Sequence, residues 1–435
     1  MRKEAEKRGM TDDGWEGGIM FDEMSIQEDL QINKRGGKTQ LVGFVNMGQE
    51  SECIRFFMNG KEEKKLASHV LQLVYLADNG YRFPFCHFPT TEANSSELFN
   101  IFWRAVSCLH KWGFKVGFAC MDGSSNNRSF LKMHFMDDMN SANPRKEQFT
   151  TTSLYGYNQK VSFIMDPSHL FKKIRNNILK SGSRQYDKRL LQCKGKYICW
   201  EYWIGAYQWD RNKNTCRIHY KLTDAHLFPD TQQKMRNKLA EEVLNEDMLT
   251  LFKAYQNDLH DGSHLDATVE LLQHTSKLIK TFRDRRPIMS MDDIRLKDNE
   301  DALQWFLNWE NSILHDDTQD SQSRKRSLMS VETRDDLVSL LMGFNELCKN
   351  KFSKNGGSIV PARLNTDIVE NIFCQQRAKF NGPTTNPTYL QYCYTVNSII
   401  LGQNTTSNNS NTGSTASPYA MSLSKPIHPA KKIRV

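Results

Sequence analysis

The chain has 435 residues, of which 38% are hydrophobic and 25% are charged. These values suit a soluble globular protein of two or three domains, or one elaborated domain. No apolar run reaches the roughly 18 residues of a membrane span, and the charged start has no apolar core behind it, which excludes a secretory signal. The net charge of +8 is compatible with nucleic-acid binding but does not prove it.

The cysteines argue for an intracellular protein without a zinc ribbon. Ten are scattered along the chain, and no two form a C-x-x-C pair. Such a distribution indicates reduced thiols rather than a disulfide framework or a Cys-based metal site.

The first part of the chain alternates between strand and helix patterns. Residues 1–17 form a polar, flexible lead-in, and an amphipathic helix is predicted over residues 96–113. Polar loops or insertions are predicted at 25–38, 50–65 and 137–158. Short apolar runs predict strands at 18–22, 40–45, 70–76, 81–88, 116–121 and 161–165.

The order strand, strand, strand, helix, strand, helix, strand predicts an α/β fold of the ribonuclease H-like type. An antiparallel meander opens this architecture, and parallel strands follow through helical crossovers. Its first and fourth strands lie side by side. Asp22 and Asp122 each end one of these strands, so we expect the two carboxylates to lie close together.

The strand that ends at Asp122 is the clearest candidate for a functional edge. It stops abruptly at Asp122-Gly123-Ser124-Ser125, a cluster typical of turns and helix caps. A carboxylate there is rigidly placed and open to solvent, where open α/β sheets bind ligands. The alternative is that Asp122 only caps the next helix, and the local sequence alone favours the cap.

The second part of the chain is mostly helical. Residues 168–179 predict a basic amphipathic helix, and 365–380 a helix in which Asp367 and Glu370 face the same way. That acid pair could alternatively only complement the helix dipole. We divide the chain into a lead-in (1–17), a first ribonuclease H-like part (18–180), a helical insertion (181–360), a last ribonuclease H-like part (361–402) and a disordered tail (403–435) that ends in a small basic cluster.

Five motifs in this order carry a resemblance to a known family. They are Phe21-Asp-Glu-Met24, the strand into Asp122, Asp166-Pro-Ser-His-Leu-Phe-Lys-Lys-Ile-Arg-Asn-Asn177, Lys221-Leu-Thr223 with Lys234-Met-Arg-Asn-Lys-Leu-Ala240, and Asp367-Ile-Val-Glu-Asn-Ile-Phe373. Together they resemble the P-element-type transposases, which include the THAP-domain transposases. The resemblance spans residues 18–402.

The resemblance implies a ribonuclease H-like catalytic domain that is split by a GTP-binding helical insertion. It also implies a DDE triad of Asp22, Asp122 and Glu370 that binds two Mg²⁺ ions and catalyses DNA strand cleavage and strand transfer. The residue types agree, because Mg²⁺ prefers hard carboxylate oxygens and two such ions can promote in-line displacement at phosphorus.

Residues 168–177 also suit this interpretation. Lys172, Lys173 and Arg175 form a basic patch that could neutralise DNA phosphates, and His169 could position DNA or a carboxylate. The alternative is a packed helix with an exposed basic face. For GTP the resemblance implies contacts from Lys221, Lys234, Arg236, Asn237 and Asp367. The stretch 282–290 departs from the family's base-reading pattern, and no P-loop occurs. GTP binding is therefore the less supported expectation.

Two functional hypotheses follow. The chain is either an active transposase core, expected in the nucleus and in a homo-oligomer on DNA, or a domesticated, catalytically inactive DNA-binding protein derived from one. The family's usual N-terminal THAP domain is not found ahead of the first predicted strand. A fragment, a truncated gene and a domesticated copy would each explain this. An unrelated helical scaffold is the third alternative, and the ordered motifs disfavour it.

Overall fold

The structure is a computed structural model. It describes residues 1–7, 10, 15–34, 37, 39–48, 52–53, 57, 64–135, 149–156, 158–182, 187–213, 215–353, 357–379 and 386–401. Most of the predicted insertion at 50–65, most of the loop at 137–158 and the whole tail at 403–435 lie outside these residues. No helix in the described part is long and apolar enough to cross a membrane.

The strands form one large sheet and two small hairpins. The strands are β1 (Glu16–Ser25), β2 (Gln31–Asn33), β3 (Gln40–Val42), β4 (His69–Ala77), β5 (Arg82–Thr90), β6 (Lys115–Met121), β7 (Thr150–Thr152), β8 (Lys160–Met165), β9 (Leu191–Cys193) and β10 (Lys196–Ile198). The large sheet has the order β5-β4-β1-β6-β8-β7.

The strand directions confirm the predicted ribonuclease H-like fold class. Strand β1 pairs antiparallel with β4 and parallel with β6, and β6 pairs parallel with β8. Strands β1 and β6 are therefore neighbours, as the sequence predicted. The prediction that residues 40–45 belong to this sheet is wrong, because β3 pairs with β2 in a separate hairpin. No residue of either strand in this hairpin is buried, and Leu41 and Ile32 are exposed.

Helices cover both faces of the sheet. In the sequence, most of them lie in the long segment between β8 and the last two helices. They are α1 (Arg2–Lys7), α2 (Ser95–Lys111), α3 (Ser125–Lys132), α4 (Pro167–Leu179), α5 (Trp200–Lys213), α6 (Asp224–Leu227), α7 (Asn237–Glu242), α8 (Glu246–Asp258), α9 (Asp266–Arg283), α10 (Ile294–Leu314), α11 (Ser321–Ser327), α12 (Val331–Phe352), α13 (Asp367–Ala378) and α14 (Tyr389–Leu401).

Two apolar clusters fill the two sides of the sheet. Alternate residues of β1 point to opposite faces, so Ile19 and Phe21 pack under α2 and α3 while Met20 and Met24 pack under the other helices. Helices α4, α12 and α13 cover that second side. Strand β6 is buried on both faces, which explains its nearly continuous apolar sequence.

Helix α12 packs directly on the sheet although it lies within the predicted insertion. A Cβ on Gly343 would come 2.1 Å from the carbonyl oxygen of Phe163 in β8. Only a glycine permits so close an approach of helix backbone to strand backbone. The predicted boundaries of the helical insertion, at residues 180 and 360, stay predictions. Part of the segment between them nevertheless belongs to the helix layer that covers the sheet.

Candidate active site

Strand register places Asp22 and Asp122 at corresponding positions of neighbouring strands. The parallel pairing of β1 with β6 runs as far as Met20 opposite Cys120. Each aspartate lies two residues beyond that pair and therefore on the same face. Both carboxylates line a cleft of about 280 Å³ at this edge of the sheet, together with His69 and Glu92.

The turn after β6 is held from two sides. One oxygen of Asp122, Oδ1, accepts hydrogen bonds from the Ser124 amide (3.1 Å) and the Asn127 side chain (2.6 Å). The cap of α3 is instead Ser124, whose hydroxyl accepts from the Asn127 amide. Asp122 is therefore oriented by the turn rather than being the cap residue, which leaves its second oxygen to the cleft.

An ion cluster around the buried Asp336 fixes the neighbouring Gly123. Lys173 donates to the Gly123 carbonyl (2.6 Å), Arg128 donates to the same oxygen, and both cations pair with Asp336 of α12. The side chain of Asp336 is only 3% exposed. A Cβ at position 123 would come 2.1 Å from Asp336 Oδ2 and 2.3 Å from Lys173 Nζ, so any larger residue here would have to displace the ion cluster.

The helix that carries Glu370 begins against the end of β8. Asp166, which is 1% exposed, accepts hydrogen bonds from the amide (3.1 Å) and the hydroxyl of Thr366, the residue before α13. Asp166 also accepts from His169 Nδ1 at 2.9 Å, and His169 Nε2 lies 3.8 Å from Glu370. The helix start and the imidazole are thus fixed by one carboxylate.

The three predicted triad residues share one electrostatic environment. Burial raises the pKa of Asp22 to about 8, and repulsion from Asp122 and Glu370 adds to the effect. Burial also raises the pKa of Glu370. Although burial opposes its charge, the Asp166 carboxylate raises the pKa of His169 to about 9. Raised carboxyl pKa values of this kind mark a site where negative charge is concentrated and incompletely compensated.

The donor set fits a hard divalent cation in chemistry, but the side chains are not drawn together around one point. Glu370 Oε2 is buried and has no hydrogen-bond partner among the described residues. Such an orphaned oxygen beside two further carboxylates suits a cation. Within the same residues, however, no group of three or more His, Cys, Asp or Glu is arranged so that it could hold a metal ion.

The predicted DNA-contacting residues of α4 are less exposed than the sequence suggested. Arg175 is fully buried and donates to the Lys234 carbonyl (2.7 Å), so the expectation that it lies on an exposed basic patch is wrong, whereas a DNA contact by this residue stays a prediction. Lys173 is bound by Asp336. Lys172 is 8% exposed and lies within electrostatic reach of Asp22, Asp122, Asp166 and Glu370. His169 and Lys172 therefore lie beside the carboxylates, and the described residues of α4 form no exposed basic patch.

The predicted nucleotide residues are divided between the surface and the interior. Lys234 and Arg236 are exposed, and Lys221 pairs with Asp247 at 3.2 Å. Asn237 is 1% exposed, and neither of its amide atoms has a described partner. One oxygen of Asp367, Oδ1, is equally unpartnered, while Oδ2 accepts from Arg283 at 3.1 Å. Two residues of the set thus show the unsatisfied atoms of a polar site, and the others do not.

Three residues that hold the site were not predicted from the sequence, namely Asp166, Arg283 and Asp336. The strand-ending Asp166-Pro167 pair was an available indication for the first, because a second parallel strand that ends in aspartate reaches the same edge. The other two lie in helices far along the chain, and no local pattern distinguishes them from surface charges.

Comparison with known proteins supports the resemblance. Residues 2–134, under a third of the chain, match the family described as TNP-like, RNase H N-terminal domain. The solved Drosophila P element transposase strand transfer complex has a similar fold, with a TM-score of 0.68 and 17% sequence identity over 91% of this chain and 78% of that chain. No curated protein matches the chain. The resemblance to P-element-type transposases is thus confirmed for the fold and for the N-terminal domain.

Proposed function

We propose that the chain is the core of a DDE-type DNA transposase that cleaves and joins DNA strands. The observation that carries the proposal is the register of β1 and β6, which gives Asp22 and Asp122 corresponding positions beside the helix of Glu370. The similarity to a P element transposase strand transfer complex supports DNA as the substrate.

Asp22, Asp122 and Glu370 would hold the two Mg²⁺ ions. When bound, the ions activate water or a 3′-hydroxyl for attack on phosphorus and stabilise the leaving oxygen. The chain's own residues prepare this site in three ways. Ser124 and Asn127 fix one oxygen of Asp122, Asp166 orients His169 beside Glu370, and the burial of Asp22 and Glu370 strengthens their attraction for a cation.

The further partners are proposals of the same kind. DNA approaches a chain of net charge +8, and Lys172 beside the carboxylates would meet a phosphate that enters the cleft. We expect a homo-oligomer in the nucleus. GTP binding rests on the unpartnered atoms of Asn237 and Asp367, and a titration with a fluorescent GTP analogue against the Asn237→Ala variant tests it.

A nicking assay on supercoiled plasmid tests the catalytic proposal without knowledge of the target sequence. The wild-type protein should nick DNA only with Mg²⁺ or Mn²⁺, and Asp122→Asn should abolish the reaction. Asp317→Asn, at an exposed position remote from the cleft, is the control. The proposal is rejected if divalent ions produce no nicking or if nicking survives in Asp122→Asn.

One observation favours the alternative of a catalytically inactive, transposase-derived DNA-binding protein. Throughout the described residues no three metal-ligating side chains are assembled for a metal ion. This alternative predicts DNA binding by fluorescence anisotropy that is unaffected by divalent ions and by Asp122→Asn, together with no nicking.

A further inference from the structure

Arg283 connects the helical segment to the helix that carries Glu370. It is the last residue of α9, and its guanidinium reaches three other elements. Nε donates to Glu241 of α7 (3.0 Å), Nη1 to Asp367 of α13 (3.1 Å) and Nη2 to the hydroxyl of Ser168 in α4 (3.0 Å). A second bond to Glu241 comes from Nη2. One planar group therefore links four helices.

The contact with Asp367 holds the first turn of α13 from a second side, in addition to the bonds between Thr366 and Asp166. Asp367 and Glu370 are three residues apart in the first turn of this helix, so they lie on the same side. The other side-chain oxygen of Asp367 has no hydrogen-bond partner among the described residues. Arg283 is consequently the side-chain partner that fixes the direction of the Asp367 carboxylate, and together with the Asp166–Thr366 bonds it holds the helix turn that carries Glu370.

The contact with Ser168 holds the other neighbour of Glu370. Ser168 is 1% exposed and directly precedes His169, whose Nε2 lies 3.8 Å from Glu370. The guanidinium thus holds both the helix that carries the glutamate and the helix start that carries the imidazole beside it. A guanidinium suits this task, because its donors lie in one plane at fixed angles, whereas an ammonium is a point charge.

We propose that Arg283 is a positioning residue that sets the metal-binding geometry of Glu370 from the helical segment. The inference rests on the proposed function above, because it concerns the same carboxylates. The bond to Glu241 lies entirely within the helical segment and serves its packing, whereas the bonds to Asp367 and Ser168 reach the site. Loss of the guanidinium should therefore alter metal affinity as well as stability.

The experiment compares Arg283→Gln with Arg295→Gln. Arg295 is a partly buried arginine of α10 that pairs with Asp293 and Asp284, neither of which belongs to α4 or α13. Three quantities are measured on the full chain, namely Mn²⁺ affinity without DNA by electron paramagnetic resonance, the nicking rate at saturating Mg²⁺, and the thermal unfolding midpoint. We expect Arg283→Gln to weaken Mn²⁺ binding by ~10-fold or more, as removal of outer-shell partners of metal ligands commonly does. Arg295→Gln should leave the affinity unchanged.

Two further variants keep the outcome decisive. Arg283→Lys restores the charge without the fork, so its Mn²⁺ affinity should lie between those of wild type and Arg283→Gln. Ser168→Ala removes a single contact and should weaken Mn²⁺ binding by a few-fold, and it replaces Arg283→Gln if that variant does not fold. Equal Mn²⁺ affinity in the Arg283 and Arg295 variants, or in Ser168→Ala and wild type, overturns the inference alone. A wild-type protein that neither binds Mn²⁺ nor nicks DNA overturns the proposed function first.

Discussion

The buried polar groups on the two faces of the central sheet differ in how fully they are hydrogen-bonded. Under α2 and α3, His134 lies among aromatic rings with both ring nitrogens bonded, one to the Phe130 carbonyl (2.9 Å) and one to the Trp103 indole N–H (3.1 Å). Under α4 and α13, the carboxylates of Asp22 and Glu370 have raised pKa values, and an oxygen of Glu370 is buried without a partner. Unsatisfied polar groups can persist where function requires them, so the difference supports the proposal that the second face is the functional one.

The largest expected effect comes from Asp22→Asn on the functional face. The amide keeps the shape and can still accept from the Glu23 amide, but it removes a charge that burial and two carboxylates oppose. Nicking should fall by at least ~10³-fold, since a metal ligand contributes several kcal/mol to the transition state. The thermal midpoint should stay equal or rise. A marked fall of the midpoint would show that Asp22 is a structural residue.

Phe130→Ala should have the opposite effect, a loss of stability with little change in nicking. Phe130 lies on the face of the sheet under α2 and α3, which we call the aromatic face. Phe130 is fully buried and packs edge-on against Phe102 and Phe163 at 5.5 and 5.7 Å between ring centroids. Its truncation should cost about 3–5 kcal/mol of unfolding free energy, measured in urea. The nicking rate per folded molecule should remain near the wild-type value. A fall in that rate as large as the Asp22→Asn effect would remove the distinction between the faces.

The sequence predicted the sheet better than it predicted what holds the site. Runs such as 70–76 and 116–121 are apolar on both faces, so the continuous apolar sequence alone located them. The short strands β7, β9 and β10 were missed because three residues carry too little pattern. Arg175 was placed on a basic surface because its helix is amphipathic, yet packing against the Lys234 carbonyl buried it. Arg283 and Asp336 act on residues 84 and 163 positions away, a relation that only tertiary structure defines.

Acid pH should destabilise the aromatic face through His134. Burial lowers the pKa of His134 from 6.5 to about 4. The histidine therefore binds a proton at higher pH in the unfolded state than in the folded state. The contribution of neutral His134 to the free energy of unfolding is complete above about pH 6.5 and is lost as the pH falls toward 4. The loss should reach up to about 3 kcal/mol.

Urea unfolding across this pH range measures the loss, and His134→Gln is the matched variant. Glutamine can still donate to the Phe130 carbonyl and accept from Trp103, but it does not titrate. His87, whose pKa burial also lowers to about 4, stays in the variant and retains its own share. A pH dependence that is identical in the variant and the wild type would contradict the assignment to His134.

The smallest effect, Asp336→Asn, tests whether the ion cluster behind Asp122 belongs to the functional face or only to the fold. Without the negative charge of Asp336, Lys173 and Arg128 are left adjacent at the Gly123 carbonyl. We expect a destabilisation of only about 2 kcal/mol, because both cations are partly exposed to solvent.

Glu310→Gln is the control, since Glu310 is similarly buried and pairs with Arg334 away from the cleft. Both variants should lose similar stability, but only Asp336→Asn should lower the nicking rate, by ~10-fold, because the cations that hold the Asp122 turn would repel each other and shift it. Equal nicking rates in the two variants would mean that Ser124 and Asn127 alone orient Asp122.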